Sequence, residues 1–314
     1  MGLFKKSIIG LEMDSKEIRT VEISGSKKNP VISAWGRIEL ADGAVKEGKV
    51  ADTDILSENI AKLMELKGFK DKNVVLGVNN QDIIVRFATF PKVPDDKIRN
   101  MVMLQAEDYI PVPMTELEID YIITGERESE GRQFINVILV GARKKMINDY
   151  IKCIESVGLN VVEIDSTMLA IARSALIYSD TGTFAAVGYN HDIGNIMIFR
   201  DGILEFARTI SMDSEENQPE PEADLISDIL LNEIRSSVNY YLSQNFAEIN
   251  KIFLCGVNIS QKTVASKIQN FTGIQVEIPD PYKSYKITGT HAGSGFNASD
   301  FNACISLALR GMEE

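Results

Sequence analysis

The pattern of apolar and polar positions along the chain contains one arrangement twice. Three short runs rich in Val, Ile and other apolar residues, separated by tight polar turns, occur near the start and again after the midpoint. These runs are residues 7–13, 17–24 and 30–40, and then residues 183–190, 194–200 and 203–210. Runs of this length, bounded by Gly, Asn, Asp and Ser, predict β-strands. The sequence therefore predicts two related three-stranded units.

Each triplet of strands is followed by an amphipathic helix and then by another short strand. The first of these helices has its apolar positions on one face, with Thr53 or Asp54 as the expected N-cap and Gly68 as the residue that ends it. The repeated β-β-β-α-β-α order indicates an α/β fold with two domains, residues 1–165 and 166–314.

Two segments depart from the repeated order. Residues 85–158 have the order β-α-β-β-α and predict a module inserted in the first domain, whose hairpin carries a charged tip at Glu126–Glu130. The segment Asp213–Asp224 is acidic, contains prolines and has no apolar periodicity, so it is predicted to be a solvated loop. Either acidic segment is a candidate to meet basic juxtamembrane residues of a partner.

Composition narrows the class of function. The chain has 314 residues, 44% hydrophobic and 25% charged, which is typical of a globular protein with two cores. Its formal net charge of -12 argues against binding nucleic acid, which requires clustered Lys and Arg, but it leaves a basic peptide open as a partner. No apolar run is long enough to span a bilayer, and the first apolar run is interpreted as a strand and not as a signal peptide.

The residues that commonly bind metals are scattered. Cys153, Cys255 and Cys304 lie in apolar contexts without short spacings, so we expect reduced cysteines in the core of a cytoplasmic protein. The histidines, His191 and His291, are far from one another and from the cysteines in the sequence. The sequence therefore predicts no metal site.

Four sequence segments resemble those of a known family. AEDYIPVP at 106–113, VGARKK at 140–145, EIRSSVNYY at 233–241 and SLALRG at 306–311 occur in the order in which the PilM proteins of type IV pilus assembly have similar segments. The division protein FtsA and the cytoplasmic domain of GspL, of type II secretion, are related to that family. The resemblance implies a duplicated actin-like, ribonuclease H-like fold with an added small subdomain.

The resemblance also implies a function and a location. PilM proteins belong to the inner-membrane platform of the pilus machine, where they bind the N-terminal cytoplasmic tail of PilN, a single-span membrane protein. We therefore expect a cytoplasmic protein held at the inner face of the membrane by its partner, without insertion of its own. Other platform proteins and the assembly ATPase are further expected partners. A GspL-like secretion protein is the less favoured alternative, because no membrane-spanning segment follows the second domain.

In the actin-like superfamily, the first hairpin turn of each half binds phosphate. In the first turn of this chain, Glu12 keeps an acid that could serve magnesium, whereas Asp14 stands where the family has glycine. A carboxylate about 4 Å from a phosphate costs on the order of 4 kcal/mol at an effective dielectric constant near 20. Ser15 and Lys16 remain able to contact an anion.

The second turn should carry Asp-X-Gly, and the matching positions begin at Gly188 and end at Asn190. The acid is absent there. An Asp-Ile-Gly does occur at 192–194, but it lies beyond the expected place and is interpreted as the hairpin turn itself.

The part of the site expected to bind adenosine also keeps fewer of the family's residues. Gly256 is the one glycine retained after the late strand, and Glu233 and Arg235 match helix residues that face adenosine in the family, although they could equally be solvated surface charges. The small lobe that covers the nucleotide is nearly missing between the second triplet and this helix. We therefore predict a scaffold without catalytic residues that binds ATP and magnesium weakly or not at all; the alternative is an active actin-like ATPase.

By the same resemblance, the partner peptide lies in a groove between the first-domain core and the inserted module. The candidate contact residues around that module are Phe87, Phe90, Tyr109, Ile110, Pro111 and Pro113. The alternative is that they are packing residues that join the module to the core. The two prolines fix φ and force an extended exit from the preceding helix.

Overall fold

A computed structural model of the chain describes residues 7–179, 181–212, 228–245, 247–257, 262–288 and 295–312. Its helices are α1 (Thr53–Lys67), α2 (Asp95–Gln105), α3 (Lys144–Ser156), α4 (Thr167–Tyr178), α5 (Asp228–Asn245), α6 (Lys262–Thr272) and α7 (Asn302–Gly311). Three segments discussed above lie largely or wholly outside the described residues: the acidic loop predicted at 213–224, the interval of the reduced lobe, and His291.

The strands form two main sheets and two small ones. They are β1 (Ser7–Met13), β2 (Glu17–Ser26), β3 (Asn29–Glu39), β4 (Val45–Lys46), β5 (Lys49–Val50), β6 (Asn73–Val78), β7 (Ile84–Pro91), β8 (Leu117–Ser129), β9 (Arg132–Arg143), β10 (Asn160–Ser166), β11 (Thr183–Tyr189), β12 (Ile193–Arg200), β13 (Ile203–Ser211), β14 (Lys251–Gly256), β15 (Gln275–Glu277) and β16 (Lys286–Ile287).

The two main sheets confirm the duplication predicted from the sequence. The first has the order β10-β6-β1-β2-β3-β16 and the second the order β13-β12-β11-β14-β15. In each, three antiparallel strands are followed by parallel strands added beside the first of the three. Apart from β16, the two sheets therefore have the same strand order, as expected for a duplicated α/β unit.

The helices α4 and α7 lie between the two sheets and join them. α7 packs on β1, β2 and β6 of the first sheet, while α4 packs on α7 and on β11 of the second sheet. In addition, β16 pairs with β3 of the first sheet. The predicted division at residue 165 therefore requires a correction: residues 286–287 and α7, placed in the second domain, pack with the first.

The inserted module is a three-stranded sheet, ordered β7-β9-β8, covered on one face by α2. The helix α3 was predicted to be its last element. Instead, Met146, Tyr150 and Ile154 of α3 pack against α1 and the first sheet. The module thus has the order β-α-β-β and ends with β9, so its predicted limit at 158 is one helix too late.

The first helix also begins differently from the prediction. Asp52 is the N-cap of α1, and its carboxylate accepts hydrogen bonds from the N–H groups of Asp54 and Ile55. The expected C-cap is confirmed, since Gly68 has a φ of 67°. Among the described residues, no helix combines the length and the apolar character needed to cross a membrane.

Candidate functional site

The first hairpin turns of the two sheets meet across the cleft between them. The backbone N–H of Ser15 donates a hydrogen bond to Oδ2 of Asp192 at 2.8 Å, and the Ser15 hydroxyl donates to the other carboxylate oxygen. Beside this contact, Nδ1 of His191 lies 3.1 Å from both carboxylate oxygens of Asp14. We call these two contacts, Ser15–Asp192 and Asp14–His191, the cross-cleft clasp.

Behind the clasp, Arg19 is enclosed with three carboxylates. Its side chain is 1% exposed; Nε binds Glu12 at 2.8 Å, Nη2 binds Asp14 at 3.2 Å and Nη1 binds Glu17. Glu12 and Arg19 stand directly opposite each other on β1 and β2. The guanidinium therefore compensates a concentration of negative charge that could not otherwise be buried.

The pKa values of Glu12, Asp14 and His191 follow from their burial and from the charged groups beside them. Burial raises the pKa of Glu12, although Arg19 acts in the opposite direction. Burial opposes ionisation of Asp14 too, but Arg19 and His191 outweigh it and hold the pKa of Asp14 well below its usual range. Burial would lower the pKa of His191, but its hydrogen bond to Asp14 raises it. The Asp14–His191 contact is therefore strengthened by charge when the imidazole is protonated.

The N–H groups at both turns are occupied by side chains of the turns themselves. The N–H groups of Lys16 and Glu17 donate to Oδ1 of Asp14 at 2.9 and 3.0 Å. Those of Asp192 and Ile193 donate to Oδ1 of Asn190 at 3.0 and 2.7 Å. Backbone N–H groups exposed at turns can bind anions. At the first turn the N–H groups of Lys16 and Glu17 already bind an anion, the carboxylate of Asp14.

Little space remains in the cleft. A cavity of about 10 Å³ lies between the sheets, lined in part by Glu12, Arg19, Thr167, Asn190 and Gly256. That volume holds about one water molecule, whereas small-molecule sites enclose roughly 300–1,000 Å³.

Several residues predicted for the nucleotide site lie elsewhere. Gly188 is inside β11, where an added Cβ would be 2.6 Å from Cδ1 of Ile171, so it packs against α4 and forms no turn. On α5, Glu233 pairs with Arg208 at 2.9 Å, and Arg235 lies over the ring of Phe271 at 4.5 Å. Gly188 therefore lies within a strand and not in the turn, whereas the adenosine-facing role of Glu233 and Arg235, which do not line the cavity, stays a prediction.

The remaining predicted residues are at the first turn or the cavity. Glu12, Asp14 and Ser15 are there as described, and Gly256 lines the cavity. Lys16 extends away from the cleft to Asp42 at 3.5 Å.

Sequence reasoning missed Arg19, His191 and Asp192. A two-stranded register places Glu12 opposite Arg19, and this signal could have identified the buried pair. His191 was expected to lie apart from other titratable residues, and its contact with Asp14 corrects that expectation. Nothing in the spacing of residues 15 and 192 could have shown that the turns touch.

One group of described residues has metal-type ligand atoms close together. Single ligand atoms of Asp14, Glu17 and His191 lie within 4.8 Å of one another. However, both carboxylates already bind Arg19, so a metal ion would lie beside a guanidinium. We assign no metal to this group, and the absence of a metal site stays a prediction.

A larger opening lies between the inserted module and the first-domain core. This groove, which we call the module groove, has a volume of about 500 Å³. One wall is residues 118–122 of β8, and the other is residues 161–166 of β10 with Ile147 and Ile151 of α3. Its volume is within the range of ligand sites. Binding of the partner in a groove at this place, which the resemblance implies, stays a prediction.

The six residues proposed as partner contacts do not line the module groove. Phe90 and Ile110 are buried in the core of the module, and Tyr109 stacks edge-on against Phe90 at 5.4 Å between ring centroids. Phe87 is 40% exposed on β7, and Pro111 and Pro113 are exposed after α2. Phe90 and Ile110 are therefore packing residues of the module, as the alternative describes, and contact of the partner with any of the six residues stays a prediction.

Comparison with known proteins decides the family. A family model described as "Type IV pilus assembly protein PilM" matches residues 10–202. The chain belongs to the PilM family. A solved PilM-PilN type IV pilus biogenesis complex contains a chain with a TM-score of 0.83 and 21% identity, covering 98% of this chain and 99% of that one. The PilM fold is thus present over nearly the whole length.

More distant relatives share the actin-like architecture of PilM proteins. The cytoplasmic domain of EpsL, an inner membrane component of the type II secretion system of Vibrio cholerae, has a TM-score of 0.50 and 13% identity, covering 98% of this chain and 94% of that one. The cell division protein FtsA of Bacillus subtilis (strain 168) is 20% identical over 298 residues, which are 85% of this chain and 67% of that protein. A protein of Bacteroides thetaiotaomicron with an actin-like ATPase fold has a TM-score of 0.52 and 13% identity, covering 99% of each chain, so the two-domain fold is actin-like.

Proposed function

We propose that this chain is a non-catalytic scaffold of a type IV pilus assembly platform that binds the N-terminal cytoplasmic tail of a PilN-like membrane protein in the module groove. The groove carries the proposal, because it is a long opening of about 500 Å³ between two structural units. The solved relative is a complex of PilM with PilN. Attachment to the inner face of the membrane would follow from this contact.

The walls of the groove fit an extended peptide with apolar side chains. Ile122 is 41% exposed on one wall and Val162 is 48% exposed on the other. Ile147 and Ile151 of α3 also line the groove. Burying such side chains against a peptide contributes roughly 25 cal/mol per Å² of apolar area removed from water.

The state of the cleft supports the non-catalytic part of the proposal. Asp14 takes the N–H groups of Lys16 and Glu17, and Asp192 takes that of Ser15. A nucleotide would have to displace these bonds and open the clasp before it could bind. An active actin-like ATPase remains the rival function, and contacts with other platform proteins or the assembly ATPase stay predictions.

Peptide binding tests the proposal. A fluorescein-labelled peptide of the first ten or so residues of PilN from the same organism should bind the full chain, as measured by fluorescence polarisation. Ile122→Glu places a charge in the groove and should weaken binding by at least about tenfold, about 1.4 kcal/mol. Ile203→Glu is the matched control, since Ile203 is 44% exposed on β13 and does not line the groove.

Circular dichroism should show that both variants fold. A peptide that does not bind the unmodified chain, or an Ile122→Glu variant that binds as well as the Ile203→Glu control, would contradict the assignment of the groove.

A further inference from the structure

The helices α4 and α7 begin at the same place in the molecule. Their first residues, Thr167 and Asn302, both line the cavity of about 10 Å³ between the two sheets. Neither helix has a side chain that accepts a hydrogen bond from its first-turn N–H groups. Such N–H groups have no partner inside the helix and are satisfied by side chains, by water or by a ligand. The first turns of both helices therefore depend on a polar group other than a capping side chain.

The side chains of these two residues also lack partners. In the described part of the chain, neither the amide nitrogen nor the amide oxygen of Asn302 has a hydrogen-bond partner, and the hydroxyl of Thr167 has none. Asn302 is 2% exposed and Thr167 is 3% exposed. Buried polar side-chain atoms of folded proteins nearly always bond to protein or to ordered water. Polar atoms without partners on two residues of one cavity therefore indicate a polar group that binds between them.

Other polar residues around the cavity have partners of their own. Arg19 binds Glu12 at 2.8 Å. Oδ1 of Asn190 accepts hydrogen bonds from two backbone N–H groups, and Oδ1 of Asn79 accepts one from Nδ2 of Asn195 at 3.2 Å. The need for a further partner is therefore greatest at the beginnings of α4 and α7.

Size and charge identify the occupant of the cavity. A cavity needs about 10–15 Å³ to hold a water molecule, and that water needs two to four polar partners. This cavity has a volume of about 10 Å³, which suffices for one water molecule. Arg19 would repel a cation and the carboxylate of Glu12 would repel an anion, because both residues line the cavity. A neutral molecule that donates and accepts hydrogen bonds fits these surroundings best.

We propose that one buried water molecule occupies the cavity, hydrogen-bonded to the side-chain amide of Asn302 and to the hydroxyl of Thr167. A water molecule donates two hydrogen bonds and accepts two, so it can also accept one from a first-turn N–H group. α7 packs on the first sheet and α4 packs on the second. The water therefore joins the two helices that connect the sheets. This site does not depend on the proposed function, because neither residue lines the module groove.

A crystal structure of the full chain, at a resolution that shows ordered waters, tests the site directly. We expect one peak of water density between Asn302 and Thr167, with each side chain at a hydrogen-bond distance of about 2.7–3.2 Å. A map without a peak that contacts both side chains would overturn the proposal. A peak with oxygen contacts of about 2.0–2.6 Å, the range of bound metal ions, would overturn it as well.

Oxygen-17 relaxation dispersion, which counts long-lived internal waters, supplies a second readout in solution. Asn302→Leu replaces the amide by an apolar group of similar size, so the count should fall by one water. Thr20→Val is the control, since the Thr20 hydroxyl is also buried without a partner in the described part of the chain but does not line the cavity. Its count should equal that of the unmodified chain.

An unchanged count in Asn302→Leu, or an equal loss in Thr20→Val, would contradict the site. If Asn302→Leu does not fold, which circular dichroism would show, the density in the unmodified chain decides by itself.

Discussion

At the level of single residues, the enclosed position of Arg19 explains how Glu12, Asp14 and Glu17 can lie together away from water. Each of these carboxylates is less than a tenth exposed, and each accepts a hydrogen bond from the guanidinium. Removing one partner of a buried ionic group leaves uncompensated charge, which costs more than the pair contributes.

Arg19→Met should therefore lower the free energy of unfolding by about 3–5 kcal/mol, measured by chemical denaturation at pH 7. The deficit should become smaller near pH 5, because carboxyls that lose their cation in a buried site protonate more readily. Arg37→Met is the control: Arg37 is the cross-strand neighbour of Arg19, but its side chain is 48% exposed and lies 3.8 Å from Asp300.

The control should change stability by no more than about 1 kcal/mol, as for other exposed ion pairs. Equal losses in the two variants would show that the buried carboxylates do not depend on Arg19.

Sequence reasoning at this scale identified the turn but not its contacts. The sequence placed Asp14 in the first turn, where it accepts hydrogen bonds from the N–H groups of Lys16 and Glu17, and the expectation that it hinders phosphate binding stays a prediction. The partners His191 and Asp192 are 177 positions away from Asp14 and Ser15 and come close only through the relative position of the sheets. The pattern of apolar and polar residues within an element carries no information on how the two sheets lie relative to each other.

At the level of elements, β1 and α7 lie in close backbone contact. A Cβ on Gly10 would lie 1.9 Å from the carbonyl oxygen of Cys304 and 2.9 Å from the N–H nitrogen of Ala308. Both atoms belong to the helix backbone, which cannot give way as a flexible side chain could. Only glycine at this position lets the helix lie directly on the strand.

Gly10→Ala should consequently lower the free energy of unfolding by about 1–3 kcal/mol or more through overpacking, measured by thermal or chemical denaturation. Gly125→Ala is the control, since its added Cβ would meet nothing within 4 Å, and we expect a change within about 0.5 kcal/mol. If Gly10→Ala is as stable as the control, α7 does not pack as described.

Element types were predictable because their patterns are local. Strand alternation and helical periodicity predicted the order of the main strands and helices, and Gly68 ended α1 as expected. The predictions that failed concerned which other element a helix or strand packs against. The apolar face of α3 shows that the helix packs on something, but not that Tyr150 and Ile154 meet the first sheet. The same reason explains the misplaced β16 and α7.

At the level of the whole molecule, the clasp joins the two main sheets across the cleft. The sheets are held by contacts from Ser15 to Asp192 and from Asp14 to His191, with a cavity of about 10 Å³ behind them. Binding of a nucleotide would have to separate the two turns and leave Asp14 facing a phosphate.

Magnesium ATP at 1 mM should therefore change the melting temperature by less than about 1 °C, whereas a ligand at 100 times its Kd contributes about 2.7 kcal/mol. The PilN peptide, measured in the same thermal assay, is the positive control. A magnesium-dependent rise of several degrees that disappears in Glu12→Ala would contradict the non-catalytic proposal and favour the ATPase.

The position of α7 has a consequence for how the chain matures. β1 and α7 are separated in sequence by residues 14–301, yet α7 covers the face of the first sheet that carries Ile8 and Val75, while α1 and α3 cover the other face. Contacts between residues so distant in sequence slow folding. During synthesis, the face that carries Ile8 and Val75 therefore lacks α7 until that helix leaves the ribosome, and apolar surface exposed in such an interval favours aggregation and chaperone binding.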